Sequence, residues 1–274
     1  LPKFNSARLS RRNDPQLINV SAPAHGRKAV IYSTCTSEYN AADLGLAAAQ
    51  VLAKNGVETQ FVYPGCCGMP QLEHGDIGRV ANAAKKIAAE MAEWIDKGYD
   101  VVSPVASCSL MLKFEWPLIE PADENIKKLA TATFDVSEYL IDISVKEGIA
   151  PGLKPIDGGV TLHVACHARA QNMGRKGAEM LKLIPNTQVN VIERCSGHGG
   201  SWGVMKDNFE TALKVGKPVA RETAKMASRY VVSECLLARD HIIQGVERLD
   251  NETPASKPEQ VQHPIEIMAI SYKD

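Results

Sequence analysis

The sequence predicts an α/β fold made of two tandem copies of one parallel-sheet unit. Three observations carry this expectation. Short runs rich in Val, Ile, Tyr and Phe alternate with longer amphipathic stretches, the signature of strand–helix–strand units. Each of these runs closes on a cysteine. The cysteines also recur in order: Cys166 follows Cys35 by 131 residues, Cys195 follows Cys66 by 129, and Cys235 follows Cys108 by 127. Similar offsets at three successive positions mark a duplication.

Residues 1–27 carry Lys3, Arg8, Arg11, Arg12 and Arg27 without a clear period and read as a basic tail or linker. The first unit is placed at 28–150. Its first strand lies in KAVIYSTC, ending at Cys35, and a helix over 41–55 stops before Gly56. The second strand lies in QFVYPGCC, ending at Cys66 and Cys67, before an Ala-rich helix over 76–97 that stops at Gly98. The third lies in YDVVSPVASC, ending at Cys108. The second unit, 151–274, repeats the scheme. GVTLHVAC ends at Cys166, QVNVIERC at Cys195 and RYVVSEC at Cys235, with helices over 176–183 and 206–228. Such Rossmann-like units have parallel strands, right-handed crossovers and ligands beyond the carboxyl ends of the strands. Cysteines about 30 and about 40 residues apart can therefore meet on one rim.

Composition narrows the function. Hydrophobic residues make up 45% and charged residues 23%, an ordinary globular balance. A net charge of -1 gives no general electrostatic reason to expect nucleic acid as a partner. No apolar run approaches the roughly 20 residues of a membrane span, and no secretory signal is visible. A cytoplasmic location is expected, where thiols stay reduced; the odd count of seven cysteines also argues against a disulfide framework. The chain opens on Leu1, as expected of a fragment or a processed product.

Thiolates bind iron–sulfur clusters and zinc. Cys35, Cys66, Cys67 and Cys108 are a full set for one cluster. Adjacent Cys66 and Cys67 are not a zinc spacing, but they can reach different irons of a larger cluster. Gly65 and Gly68 flank the pair and let backbone approach a bulky inorganic group. The second unit offers Cys166, Cys195 and Cys235, with Ser196 where the first has Cys67. Four-fold thiolate ligation fails there, and the nearby candidates for the missing ligand are His163, His167, His198 and Ser196, since imidazole can replace thiolate on iron. His163, on a strand, reads better as a hydrogen-bonded core residue. His167 can ligate, cap or orient a neighbouring thiolate. His198 lies in CSGHGGSWG, a loop with Gly197, Gly199 and Gly200 that is expected to be flexible enough to turn the ring inward. The same loop could cradle an anion, although no phosphate-loop pattern follows.

The chain resembles the cysteine-rich CCG-domain proteins, among them the B subunit of heterodisulfide reductase and the C subunit of anaerobic glycerol-3-phosphate dehydrogenase. Matching residues are Cys35, Cys66-Cys67-Gly68-Met69-Pro70, Cys108, YNAAD (39–43), LKFEWP (112–117), HVACH (163–167), CSGHGGSWGVMKDNF (195–209) and SEC (233–235). The resemblance implies a 4Fe–4S type of iron–sulfur cofactor, electron transport, and a role as one subunit or domain of an oxidoreductase complex. It places metal on Cys35, Cys66, Cys67, Cys108, Cys166, Cys195 and Cys235, with Gly68, Gly197 and His167 lining the cofactor. The implied partner is a flavoprotein dehydrogenase subunit or a ferredoxin-like domain, the latter upstream in many relatives. The acceptor would be a quinone or a disulfide, and the complex peripheral at the inner face of a membrane. Ser196, Ala238 and Met111 depart from the family pattern. The last two stand at closing CxxC positions, which speaks against a non-cubane double cluster. His163 and His167 occur in relatives with complete cysteine sets, which makes His198 the better candidate for a replacement ligand; the contrary reading is a second unit that has lost its metal, its cysteines vestigial or lining a substrate pocket. A thiol–disulfide enzyme and a structural zinc protein are the competing readings.

Overall fold

The computed structural model describes residues 4–6, 8–12, 16–249 and 258–273; Lys3 of the basic segment lies outside them. The chain divides into two compact units, residues 2–152 and 153–274.

The first unit runs β1 (Lys28–Tyr32), α1 (Cys35–Tyr39), α2 (Ala42–Lys54), β2 (Glu58–Val62), α3 (Met69–Glu73), α4 (Ile77–Asp96), β3 (Asp100–Ser103) and α5 (Ala106–Leu110). It continues through one π-helical turn (Met111–Glu115) into α6 (Trp116–Ile119), α7 (Glu124–Ala132), β4 (Thr133–Asp135) and α8 (Val136–Lys146). All four strands are parallel in the order β2-β1-β3-β4. Ala29 pairs with Thr59 on one side and Asp100 on the other, so the first strand is internal. Its residues Ala29 to Tyr32 are fully buried, as are Val101 and Val102 beside them. Burial on both faces explains why these strands read as continuous apolar runs rather than alternating ones.

Local chemistry sets the ends of the elements. Asp76 caps α4 by accepting from the Arg79 N–H, and Asp135 caps α8 in a reciprocal box with Glu138. Strand β4 has only three residues, and its pattern is hidden between two helices; the sequence reading lacks it. The basic segment is largely irregular, yet it is docked on this unit. Leu9 is fully buried against Gly45, Ser10 bonds the Glu38 carboxylate through both its Oγ (2.7 Å) and its N–H (2.9 Å), and Phe4 stacks on Tyr39. Arg27 forks onto Asp142 (2.9 Å) and Glu147 (2.8 Å) of α8.

The second unit runs β5 (Val160–His163), α9 (Cys166–Ala170), α10 (Lys176–Leu181), β6 (Val189–Ile192), a 3-10 turn (Trp202–Val204), α11 (Lys206–Met226), β7 (Tyr230–Ser233), α12 (Leu236–Glu247) and α13 (Pro264–Ser271). Its strands are parallel in the order β6-β5-β7, the connectivity of β2-β1-β3. Ile192, Val219, Ala220, Ile242 and Val246 form a core between β6, α11 and α12. Helix α13 is absent from the sequence reading because it is buried on nearly every side, so no amphipathic period marks it. Among the described residues no helix is long and apolar enough to cross a membrane.

Candidate metal centre

In the first unit the cysteines stand just past three parallel strands. Cys35 opens α1 behind a Thr34 cap, Cys66 and Cys67 lie in the β2–α3 loop, and Cys108 sits in α5 after β3. The sulfurs of Cys35 and Cys66 are 4.0 Å apart, and those of Cys67 and Cys108 are 3.3 Å apart. Cys67 and Cys108 are buried; Cys35 and Cys66 are half-buried. Gly68 takes φ +85°, a left-handed conformation that starts α3 immediately after the cysteine pair.

Two residues absent from the candidate set hold this loop. The Tyr32 hydroxyl donates to the Gly65 carbonyl at 2.6 Å, and the Trp116 indole N–H donates to the Cys67 carbonyl at 3.0 Å. Trp116 belongs to the LKFEWP motif, which was the available signal for it; nothing distinguished Tyr32 from other buried strand residues. The π-helical turn precedes Trp116, and Pro117 follows it, so the regular α-helical bonding pattern is interrupted where this side chain meets the loop.

The four sulfurs share one electrostatic environment. Burial, and then the charges of Cys67, Cys108, Cys66 and Cys35, push Tyr32 ionisation far up. Cys66 is pushed strongly down by hydrogen bonds from the thiols of Cys35 and Cys67 and from the Gly68 N–H, against the effect of burial. Cys35 moves up because it donates to Cys66, and Cys67 moves up with Cys108 and Cys66 as its partners. Cys66 also borders an open cleft of about 270 Å³ lined by Pro64, Gly65, Gln71, Arg79 and Ile87.

In the second unit Cys166 opens α9, Cys195 follows β6, and Cys235 immediately precedes α12. Cys166 and Cys195 are exposed, and Cys235 is half-buried. The buried Ser196 Oγ lies 2.7 Å from His198 Nδ1, and His198 Nε2 lies 3.9 Å from Cys235 Sγ. Burial, with His241, His163 and His167 nearby, pushes His198 down to about 4. Burial pushes Cys235 up to about 11, opposed by the N–H groups of Ala238 and Leu237 at the start of α12. His163 is a hydrogen-bonded core residue, with Nδ1 on Ser233 Oγ (2.9 Å) and Nε2 on the Arg194 carbonyl (2.8 Å). His167 is half-buried beside Cys166 in α9.

The glycine loop packs closely against its surroundings at Gly197. At Gly197 (φ +86°) a Cβ would stand 2.3 Å from the Ala212 carbonyl, and at Gly216 one would stand 2.4 Å from the Ser196 carbonyl. The loop and α11 therefore pack backbone to backbone, and Gly197 is required by that contact. His198 faces inward on a pinned support.

Among the described residues no three His, Cys, Asp or Glu side chains are set to hold a single metal ion. The first unit's thiols pair instead. A set of four thiols, two of them adjacent in sequence, fits the donors of a cysteine-held cluster better than those of a zinc tetrahedron. The second unit gathers an imidazole and a thiol, with two further thiols at its strand ends.

Tandem parallel α/β units with cysteines beyond their strand ends define a class of cysteine-rich α/β protein. The chain belongs to the CCG cysteine-rich domain family, whose model matches residues 29–113 and 160–237, more than half of its length. It is 26% identical over 204 residues to the C subunit of the anaerobic glycerol-3-phosphate dehydrogenase of Escherichia coli K12, covering 73% of this chain and 51% of that one. It is 27% identical to lactate utilization protein A of Oceanobacillus iheyensis, covering 75% and 84%, and 26% identical to the B subunit of the fumarate reductase (CoM/CoB) of Methanothermobacter marburgensis, covering 91% and 47%. The chain thus spans about half the length of the first and third of these relatives.

Proposed function

We propose that this chain is an iron–sulfur electron-transfer subunit or domain of an oxidoreductase complex. The observation that carries the reading is the pairing of four thiols, Cys35 with Cys66 and Cys67 with Cys108, past the ends of adjacent parallel strands. A cluster held there, of the 4Fe–4S type, supplies one-electron transfer. Cys35, Cys66, Cys67 and Cys108 hold it as thiolates. Tyr32 and Trp116 fix the loop between them, Gly68 admits the backbone turn, and the burial of Cys67 and Cys108 limits water at the site. In the second unit Cys166, Cys195, Cys235 and His198 form the corresponding set, with Gly197 and His167 beside them. A neutral imidazole in place of a thiolate makes that centre less anionic and easier to reduce.

Membership of the family and likeness to dehydrogenase and reductase subunits support a place between an electron donor and an acceptor. The donor is a flavoprotein subunit or a ferredoxin-like domain. The acceptor is a quinone or a disulfide-type compound, reached in the cytoplasm or from the inner face of a membrane through the partner. Anaerobic purification with metal and sulfide analysis tests the reading. Iron with an equal amount of acid-labile sulfide, and a brown absorbance bleached by dithionite, is the expected result. Zinc without colour would establish the structural-metal reading, and a metal-free chain cycling between dithiol and disulfide would establish thiol chemistry.

A further inference from the structure

Ser196 stands 129 residues after Cys67, the same offset that separates Cys195 from Cys66. The duplicated unit thus carries a hydroxyl where the first carries a buried thiol. That hydroxyl is 2.7 Å from Nδ1 of His198, and the other ring nitrogen of His198 is 3.9 Å from Cys235 Sγ. Ser196 and His198 are 6% and 7% exposed, so neither is an adaptable surface group. Their backbone is fixed as well: the Ser196 carbonyl lies against Gly216, and the His198 carbonyl against Gly203, at distances that exclude any Cβ. A neutral imidazole donates from one nitrogen and offers a lone pair from the other. The partner of the first nitrogen decides which is which.

We propose that Ser196 is a positioning residue: its Oγ accepts the Nδ1–H of His198, so that the Nε2 lone pair faces Cys235 and the second unit binds its cluster with three cysteines and one imidazole. This inference rests on the iron–sulfur reading above and adds to it the histidine nitrogen that binds and the residue that selects it. The serine and histidine together replace one thiolate. The hydroxyl does not touch metal.

The test uses the full chain carrying [15N]histidine, assembled anaerobically with iron and sulfide and reduced with dithionite. Pulsed EPR then reads nitrogen coupling at the cluster, and iron per chain is measured alongside. The Cys35→Ala chain isolates the second centre. A histidine coupling is expected in the wild type and in Cys35→Ala, and it should vanish in His198→Cys with iron retained. Ser196→Ala should broaden or weaken the coupling and raise the potential of the second centre, because an imidazole without an acceptor for its Nδ1–H is a weaker donor, while leaving the first centre's signal unchanged. Ser196→Thr, which keeps the hydroxyl, should restore it. A second cluster without histidine coupling would overturn the proposal and leave the iron–sulfur reading standing. Iron in the wild type but none in Cys35→Ala would overturn it too, confining the reading to the first unit. No iron in any form would remove the underlying reading itself.

Discussion

The indole N–H of Trp116 donates to the carbonyl of Cys67, joining the helix after β3 to the loop after β2. Both residues are buried, so removing the donor leaves a carbonyl without its partner away from water. Trp116→Phe keeps most of the ring volume and should cost about 1–2 kcal/mol of stability. The same variant should lose iron faster than wild type when a chelator is added. Urea melts and timed iron release measure the two effects separately.

Asp135 ends β4 and caps α8 while fully buried, and burial pushes its carboxyl from 3.8 up to about 6. Hydrogen bonds from the Ser137 N–H and the Ser109 hydroxyl oppose the shift. A carboxyl with a folded pKa above its unfolded value binds a proton more readily in the native state. Its contribution is therefore fullest below pH 3.8 and is lost as pH rises through about 6, by at most about 3 kcal/mol. Asp135→Asn keeps an acceptor for the cap. The difference in unfolding free energy between variant and wild type should shift in the variant's favour between pH 4 and 6 and level off above.

The second unit carries the opposite sign. His263 is fully buried, its Nδ1 accepts from the Ile265 N–H at the start of α13, and burial pushes it from 6.5 down to about 3. The unfolded chain takes the proton first, so stability present above pH 6.5 is lost as pH falls toward 3, by at most about 5 kcal/mol. His263→Asn retains a capping side chain. Its melting temperature should fall less than that of the wild type between pH 6.5 and 4.

Two glycines with similar backbone angles should respond very differently to alanine. Gly75 has φ +78° and nothing within 4 Å of an added Cβ, so Gly75→Ala should cost about 1 kcal/mol of backbone strain. Gly197 has φ +86° and meets the Ala212 carbonyl at 2.3 Å, so Gly197→Ala should cost more than about 4 kcal/mol, as overpacking adds to strain. Thermal denaturation of both variants checks the contrast.

Mild oxidation of the metal-free chain should join Cys67 to Cys108 and not Cys67 to Cys66. The sulfurs of Cys67 and Cys108 are 3.3 Å apart, whereas Cys35 and Cys66 stand at 4.0 Å, and adjacent cysteines would need a strained vicinal bond. Peptide mapping by mass spectrometry without reduction identifies the linkage.

The strands and the cysteines at their ends were legible because burial on both faces writes a continuous apolar run and the duplication writes it twice. Ser103 and Asp135 pair across β3 and β4, but a three-residue strand such as Thr133–Asp135 has too few positions for a period. Helix α13 lacked a polar face to betray it. The close packing of Ser196 and Gly197 on α11 was hidden because its cause is non-local: Gly216, on α11, removes the side chain that would hold the loop away. The docking of Leu9 and Arg27 was hidden in the same way, since their partners lie at Gly45, Asp142 and Glu147. Local pattern identifies an element; the contact that fixes it comes from elsewhere in the chain.

In both units the earliest strand lies inside its sheet, with later strands added to its two sides. On the ribosome, β1 emerges with neither neighbour made. It gains β2 about 30 residues later and waits for β3 until about 70 residues have passed. For that interval a strand apolar from Ala29 to Tyr32 keeps one bare edge, the template on which nascent chains aggregate. The second unit repeats the exposure with β5, β6 and β7. Slow translation just before residue 100 or just before residue 230 should therefore favour misassembly, and chaperone demand should peak twice during synthesis of one chain.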